Sequence, residues 1–231
     1  MFTSRVRRRT TADGKNAFHP AICLLLLLFT IGCAQNIYTV DLKYATASPP
    51  SPGAVSQQKY VMTVALFNDA RSGGRDLLIG RVTTAMGGLT NVIPKAMSPT
   101  TAVSTIVKDV LVKSGYQVSV AAPAWDLQEN AIRKDWGDIL IGGDINELEI
   151  VCRNDIPIKT YDTRVRLTIL LADVKTGKIF HRISTTSKNS LEHIYFSEEM
   201  LSQQISNALT EAVEKAFEGP LLKEKISTVL K

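Results

Sequence analysis

The chain predicts an α+β fold, a two-layer sandwich whose mixed, mostly antiparallel sheet carries two main helices packed on one face. Three observations lead there. Two segments far apart in sequence, Ser98 to Ser114 and Ser197 to Phe217, carry apolar stripes of helical period. Between them a run of segments, beginning at Gly137 and ending at Ser187, has the alternation and turn chemistry of consecutive strands. Ahead of both helices stands an isolated strand, Tyr60 to Phe67, with apolar residues at odd and even positions alike, as in a strand covered on two sides.

Taken in order, that first strand leads into Asn68 to Met97, which reads as a long insertion with Gly73-Gly74, Gly80 and Gly87-Gly88. Loops of that length are uncommon unless they bind something or are disordered. A helix then starts with Ser98 as N-cap and Pro99 at the first helical position, and Gly115 ends it. Its stripe is Val103, Ile106, Val107, Val110 and Leu111, one face of a helix that must cover a sheet. Tyr116 to Val120 reads as a strand, Asp126 to Asp135 as a short helix, and Gly137 to Arg153 as a long strand bulged at Gly142-Gly143. Thr163 to Val174 alternates Val165, Leu167, Ile169 and Leu171 against Arg164, Arg166 and Thr168. Lys175-Thr176-Gly177 turns it into Lys178 to Ser187 as a hairpin. The last long helix opens near Ser197 with Glu198 and Glu199 in its first turn, where negative charge complements the dipole, and Gly219-Pro220 stops it. One domain over residues 60–219 follows, with residues 220–231 as a short C-terminal tail able to form a last short helix.

The amino terminus has a different character. A basic run (Arg5, Arg7, Arg8, Arg9, Lys15) precedes an uninterrupted apolar stretch from Ala21 to Phe29 and then Thr30-Ile31-Gly32-Cys33. This order is that of a secretory signal, and about 20 apolar residues would be needed to span a bilayer instead. It resembles a bacterial lipoprotein signal, which implies cleavage after Gly32 and acylation of Cys33. Residues 1–32 are then a signal peptide. Residues 33–59, dense in serine and proline around Ser48-Pro49-Pro50-Ser51-Pro52, read as a flexible tether. The signal holds five of the 27 Lys and Arg residues and one of the 22 Asp and Glu residues, so the mature chain is left with a net charge of +1. Its near neutrality gives no electrostatic basis for binding nucleic acid. Of three cysteines, Cys23 leaves with the signal and Cys33 is lipidated, so Cys152 has no partner for an intrachain disulfide.

Little in the remaining sequence points to catalysis. Gly73-Gly74-Arg75 and Gly80-Arg81 combine glycine with a cation but lack the Gly-Lys-Ser/Thr ending of a phosphate-binding loop. Cys152 would be a nucleophile only if a base such as His181 or His193 lowered its pKa, and its strand pattern favours an inert buried thiol. One cysteine and two histidines without signature spacing give no zinc site, and no metal or cofactor is expected. Glu147 and Glu149 share a strand face, as do Arg164 and Arg166 on the next strand, so cross-strand ion pairing is the simplest account of all four. Asp69 and Arg71, at a strand end leading into the glycine-rich segment, pair with each other or orient that segment.

Asp69-Ala70-Arg71 after an apolar strand, the glycine-rich segment, and a helix ending in Gly115-Tyr116-Gln117-Val118 together form a pattern. It resembles the YajG-like family of bacterial outer-membrane lipoproteins over Met62 to Phe217. The resemblance implies an α+β envelope domain with no enzyme activity and no defined ligand. Ala34 after Cys33, rather than Asp, resembles the outer-membrane sorting pattern. The expectation is a non-catalytic, lipid-anchored cell-envelope protein, facing the periplasm, that binds or scaffolds a protein partner. Its candidate contact residues are Asp69, Arg71, Arg75 and Arg81. Two alternatives stand beside it: an accessory lipoprotein of a lipid or solute transporter, with an apolar pocket between sheet and helices, and a hydrolase using Cys152 with His181 or His193.

Overall fold

A computed structural model describes residues 37–45, 60–72, 77–119 and 121–229. The signal segment, Cys33, residues 46–59 and the Gly73-Gly74-Arg75 stretch lie outside the described residues. The described strands are β1 (Ile37–Val40), β2 (Val61–Val64), β3 (Asn68–Asp69), β4 (Gly80–Thr83), β5 (Leu89–Pro94), β6 (Gln117–Val118), β7 (Ile139–Asn154), β8 (Lys159–Asp173) and β9 (Lys178–His193). The helices are α1 (Pro99–Lys113), α2 (Glu198–Phe217) and α3 (Pro220–Val229).

Strand β7 organises the sheet. Along one edge it pairs antiparallel with β8 over its whole length, and β8 pairs antiparallel with β9 in turn. Along its other edge three short strands run parallel to it, end to end: β2 against Ile139 to Ile141, β3 against Asp144 and Ile145, β4 against Ile150 to Arg153. Beyond β2 lies β6, and beyond β4 lie β5 and then β1. The sheet is therefore mixed, with its longest pairings antiparallel.

Both predicted helices form with the predicted caps. Ser98 accepts a hydrogen bond from the Thr101 backbone N–H at 3.2 Å, and Ser197 accepts one from Met200 at 3.1 Å, each satisfying an amide that the first helical turn leaves unpaired. Their stripes pack on one face of the sheet, where Ile106, Leu111, Ile141, Ile145, Leu167, Ile205 and Leu209 are fully buried in a single core. Each such side chain contributes about 1.5–3 kcal/mol of burial. Hydrogen bonds fasten α2 to β9: Thr185 donates to the Ala212 carbonyl, while Ser187 and Asn189 donate to Glu211. The Lys215 ammonium, with Asn189 and Ser187, holds the Glu211 carboxyl down at about 2.

Several expectations change. First, the tether does not begin at residue 33. Ile37–Val40 is a strand, and the extended chain to Ala45 lies along α2. Backbone N–H groups of Thr39, Asp41, Lys43 and Ala45 donate to the side chains of Glu198, Ser202, Ser206 and Thr210 at 2.9–3.3 Å. Two residues of extended chain advance about 6.6 Å and four residues of helix about 6 Å, so the two rows stay in step over this length. Second, the glycine-rich insertion contains β3, β4 and β5, and β4 and β5 form a hairpin. Its turn is closed by Thr84 N–H to Gly88 O at 2.8 Å, with Gly87 at φ +79°. Third, the bulge in β7 falls between Ile145 and Glu147 rather than at the glycines. Gly142 and Gly143 are small because of what covers them: a Cβ on Gly142 would lie 2.7 Å from the Trp125 ring, and one on Gly143 would meet the Thr168 carbonyl oxygen and Phe67. Fourth, the domain does not stop at residue 219: the last short helix forms, as α3, and buries Leu222 and Ile226 in the main core.

The predicted helix Asp126 to Asp135 reduces to a 3-10 turn at Glu129–Ala131. Its apolar residues cover the other face of the sheet at one end. Trp125, with Leu127, Ile132 and Trp136, packs on Leu140, Leu170 and Ala172 as a second, smaller core.

Candidate functional site

The site is built from a gap. Parallel pairing along β7 stops at Ile145, where β3 ends, and resumes at Ile150, where β4 begins. Backbone groups of β7 in between need other partners, because an unpaired buried amide or carbonyl is costly. Arg71 supplies one. Its Nη1 donates to the Leu78 carbonyl at 2.8 Å and reaches the Leu148 carbonyl at 3.5 Å. Its Nε and Nη2 donate to the two carboxylate oxygens of Asp69 at 2.8 and 2.6 Å, a two-pronged ion pair. Burial pushes the Asp69 carboxyl up, but the Arg71 side-chain and backbone bonds and its positive charge outweigh that and hold it below the ordinary range. Asp69-Ala70-Arg71 is thus a clip that closes the sheet edge where β3 hands over to β4.

Beside the clip opens a cleft of about 500 Å³, lined by Arg71, Leu78, Arg81, Asn146, Glu147 and Arg166 among others. Two predicted site residues, Arg71 and Arg81, line it, and Asp69 is ion-paired to Arg71. Arg75 lies outside the described residues. Sequence reasoning missed Asn146, the bulged residue, whose amide oxygen accepts from Thr168 at 2.7 Å. It also kept the Glu147, Glu149 and Arg166 ladder apart from Arg81, although the parallel pairing of β4 with β7 joins them.

From the cleft a ladder of charges runs across the outward face of β7 and β8. Arg166 meets Glu147 at 3.3 Å, Arg164 and Arg81 approach Glu149 at 3.9 and 4.0 Å, and Arg153 meets Asp162 at 2.9 Å. The predicted cross-strand pairing holds, with Glu147 opposite Arg166 and Glu149 opposite Arg164. All these arginine side chains are more than half exposed. Each pair is therefore worth little to stability, about 0.2–1 kcal/mol, and leaves its guanidinium open to another acceptor. No helix lies on this part of the face among the described residues.

Cys152 belongs to the main core, on the side of β7 away from the ladder. Burial pushes its thiol up to about 11, so at neutral pH it is neither a thiolate nor accessible. His181 lies against Lys225 at 3.1 Å, and His193 against the Tyr195 backbone at 3.0 Å. Among the described residues no group of His, Cys, Asp and Glu is arranged to hold a metal ion, and no helix is long and apolar enough to cross a membrane. The layer between sheet and helices, where a transport reading puts an apolar pocket, holds the interlocked side chains of the main core, while the cleft opens on the outward face.

The sequence matches no family model and no curated protein. Solved structures of bacterial proteins are similar to it. One is a DUF330 protein of Xanthomonas campestris, 16% identical, with 78% of this chain and 91% of that one covered at a TM-score of 0.44. Another is the lipoprotein GNA1162 of Neisseria meningitidis, 13% identical, covering 65% of this chain and 96% of that one at 0.34. A third is the PelC dodecamer of Paraburkholderia phytofirmans, 12% identical, covering 65% and 85% at 0.36. The similar structures thus include bacterial lipoproteins. At these scores the likeness is loose, and the function rests on this chain's own residues.

Proposed function

We propose that this chain is a non-catalytic lipoprotein of the bacterial envelope, of the YajG-like kind, that docks a protein partner on the cleft and charge ladder. Cys33 carries the lipid, and Ala34 after it directs the protein to the outer membrane with the domain facing the periplasm. The observation that supports the reading is the uneven cover of the sheet. One face is sealed by helices and one end of the other by tryptophans, while the stretch from Arg81 to Arg164 keeps exposed guanidinium groups beside a cleft. Exposed arginines of this kind are what a partner's carboxylates bind bidentately, and arginine is enriched in interface cores.

A photocrosslinking residue at the exposed Asn91, which lines the cleft, tests this in cells making the full chain. It should give a discrete adduct with one envelope protein, abolished by Arg81→Glu with Arg166→Glu while Cys33 stays acylated. Equal adducts from Thr105, exposed on the outer side of α1, or persistence in the double variant would overturn the site. Loss of acylation in native protein, read from the mass of the mature amino terminus, would overturn the anchor.

A further inference from the structure

We propose that one end of the sheet is a membrane-contact surface, whose exposed apolar side chains enter the phospholipid leaflet that holds the lipid anchor. The inference rests on the acylated Cys33 of the reading above and extends it from an attachment point to a face of the fold.

Register places several chain segments at that end. The carboxyl end of β4 meets that of β7, with Thr83 opposite Arg153. Antiparallel pairing puts the start of β5 there through Leu89 opposite Thr83, the start of β8 through Lys159 opposite Asn154, and the close of β9 through His193 opposite Lys159. Strand β1 runs parallel to β5 and so begins toward the same end, with Ile37 opposite Asn91.

These segments carry most of the large apolar side chains that the described residues leave exposed. On one half stand Ile37, Met86, 99% exposed at the tip of the β4–β5 turn, and Leu89, which also lines the cleft. On the other half stand Ile156, 82% exposed, and Ile158 in the β7–β8 turn, then Ile194 and Tyr195 beyond β9. The opposite end of the sheet presents Arg133, Lys134, Asp135, Asp138, Lys175 and Thr176. Among large apolar side chains, Val112 at the end of α1 is the exception there, while Leu77, Leu78 and Met97 are exposed away from both ends, Leu78 in the cleft. Single exposed hydrophobics are ordinary. Arg153, Asp155 and Glu192 stand exposed among them, but the gathering of large apolar side chains at this one end is the pattern of a surface that leaves water.

What covers that end is indicated by where the chain enters the fold. Ile37 is four residues after Cys33, a distance that extended chain spans in at most about 14 Å. The strand it begins is fixed: Thr39 is bonded to Glu198, and Tyr38 packs on Phe196 with ring centres 4.9 Å apart. Phe196 in turn stacks on the buried Tyr161, whose hydroxyl donates to the Tyr195 carbonyl and accepts from the Ser197 N–H. The corner bearing Ile194 and Tyr195 is therefore rigidly joined to the strand leading from the anchor. An acyl group on Cys33 cannot enter a leaflet without holding the start of β1, and with it this end of the sheet, within about 14 Å of the headgroups. Apolar tips and a tyrosine suit that depth, because aromatic rings with a polar handle favour the interface.

The test uses the full acylated chain in vesicles of phosphatidylethanolamine and phosphatidylglycerol that contain a lipid with a diazirine in its acyl chain. After illumination, adducts should map to the peptides around Met86, Ile156 and Tyr195 and be absent from those around Lys134 and Lys175. The triple variant Met86→Glu, Ile156→Glu, Tyr195→Glu should lose these adducts while keeping its acyl group and its melting temperature. Adducts spread evenly over both ends, or unchanged in a folded triple variant, would overturn the inference with the anchor intact. Adducts at the apolar end of a chain whose Cys33 proves unacylated would instead overturn the anchor and sustain the contact.

Discussion

Two halves of one sheet face are finished in different ways. Along the first half of β7 the outward residues Leu140 and Gly142 lie under Trp125, with Leu170 and Ala172 of β8 beside them. Along the second half the outward residues are Glu147 and Glu149, opposite Arg166 and Arg164, and they stand in solvent. The inner face continues unbroken beneath both, from Ile139, Ile141 and Ile145 to Leu148, Ile150 and Cys152. Bulging at Asn146 keeps this continuity. Inward residues are odd-numbered before it and even-numbered after it, because one extra residue in a strand reverses which parity faces the core. Strand β7 is core on two sides at its start and on one side at its end, and the cleft lies where the change occurs.

The most severe way to break the comparison is to insert an alanine between Glu147 and Leu148. Then either Glu149 turns into the helix layer while Leu148, Ile150 and Cys152 turn out of it, or the pairing with β8 slips by a residue. Thermal melting followed by circular dichroism should show no cooperative transition, and a normal melt would mean that strand alternation does not set the facing. Next in size, Trp125→Ala removes the cover of the first half alone and should lower the unfolding free energy by about 3–5 kcal/mol in urea titration. A loss below about 1 kcal/mol would mean that half is not a core.

Asp69→Asn should come third, at about 2 kcal/mol near neutral pH, because it strips a charged hydrogen-bond partner from a guanidinium that is largely buried. Its pH dependence sharpens the point. The folded pKa of Asp69 lies below its unfolded value of about 4, so its contribution is complete above that value and disappears as pH falls through the folded one. The gap between wild type and variant should close in acid, and a gap constant from pH 7 to pH 3 would rule out an electrostatic clip. Smallest of all, Glu149→Gln in the exposed ladder should change stability by less than about 1 kcal/mol, and by less still in high salt.

Much of this could be read before folding, and what could not has identifiable causes. The caps at Ser98 and Ser197, the apolar stripes and the hairpin glycine Gly177 depend on neighbours a few residues away. So does the pairing of Glu147 and Glu149 with Arg164 and Arg166, since two alternating strands joined by a short turn have few registers available. Strand β1 was legible too, in the alternation of Tyr38, Val40, Leu42 and Tyr44 with Thr39, Asp41 and Lys43, and the proline-rich stretch after it drew the tether boundary too early. Its acceptors on α2 repeat every fourth residue, but nothing local says that Ser202, Ser206 and Thr210 await a strand more than 150 residues upstream. The candidate site was half visible: Asp69 and Arg71 announced themselves as a pair, and Arg81 as a cation beside glycine, with no sign of the strand gap that joins them.

By itself the sequence determined the fold class, the cover of one face by two helices, and the charge alternation of β8. Each follows from periodicity or from residues in contact along the chain. Tertiary structure decided the parallel seating of β2, β3 and β4 end to end on β7, and with it the gap that Arg71 closes. It also brought Ile37, Met86, Ile156 and Tyr195 to one end of the sheet. Parallel pairing between distant segments has no local turn to set its register, so only the competition of whole faces for burial chooses it.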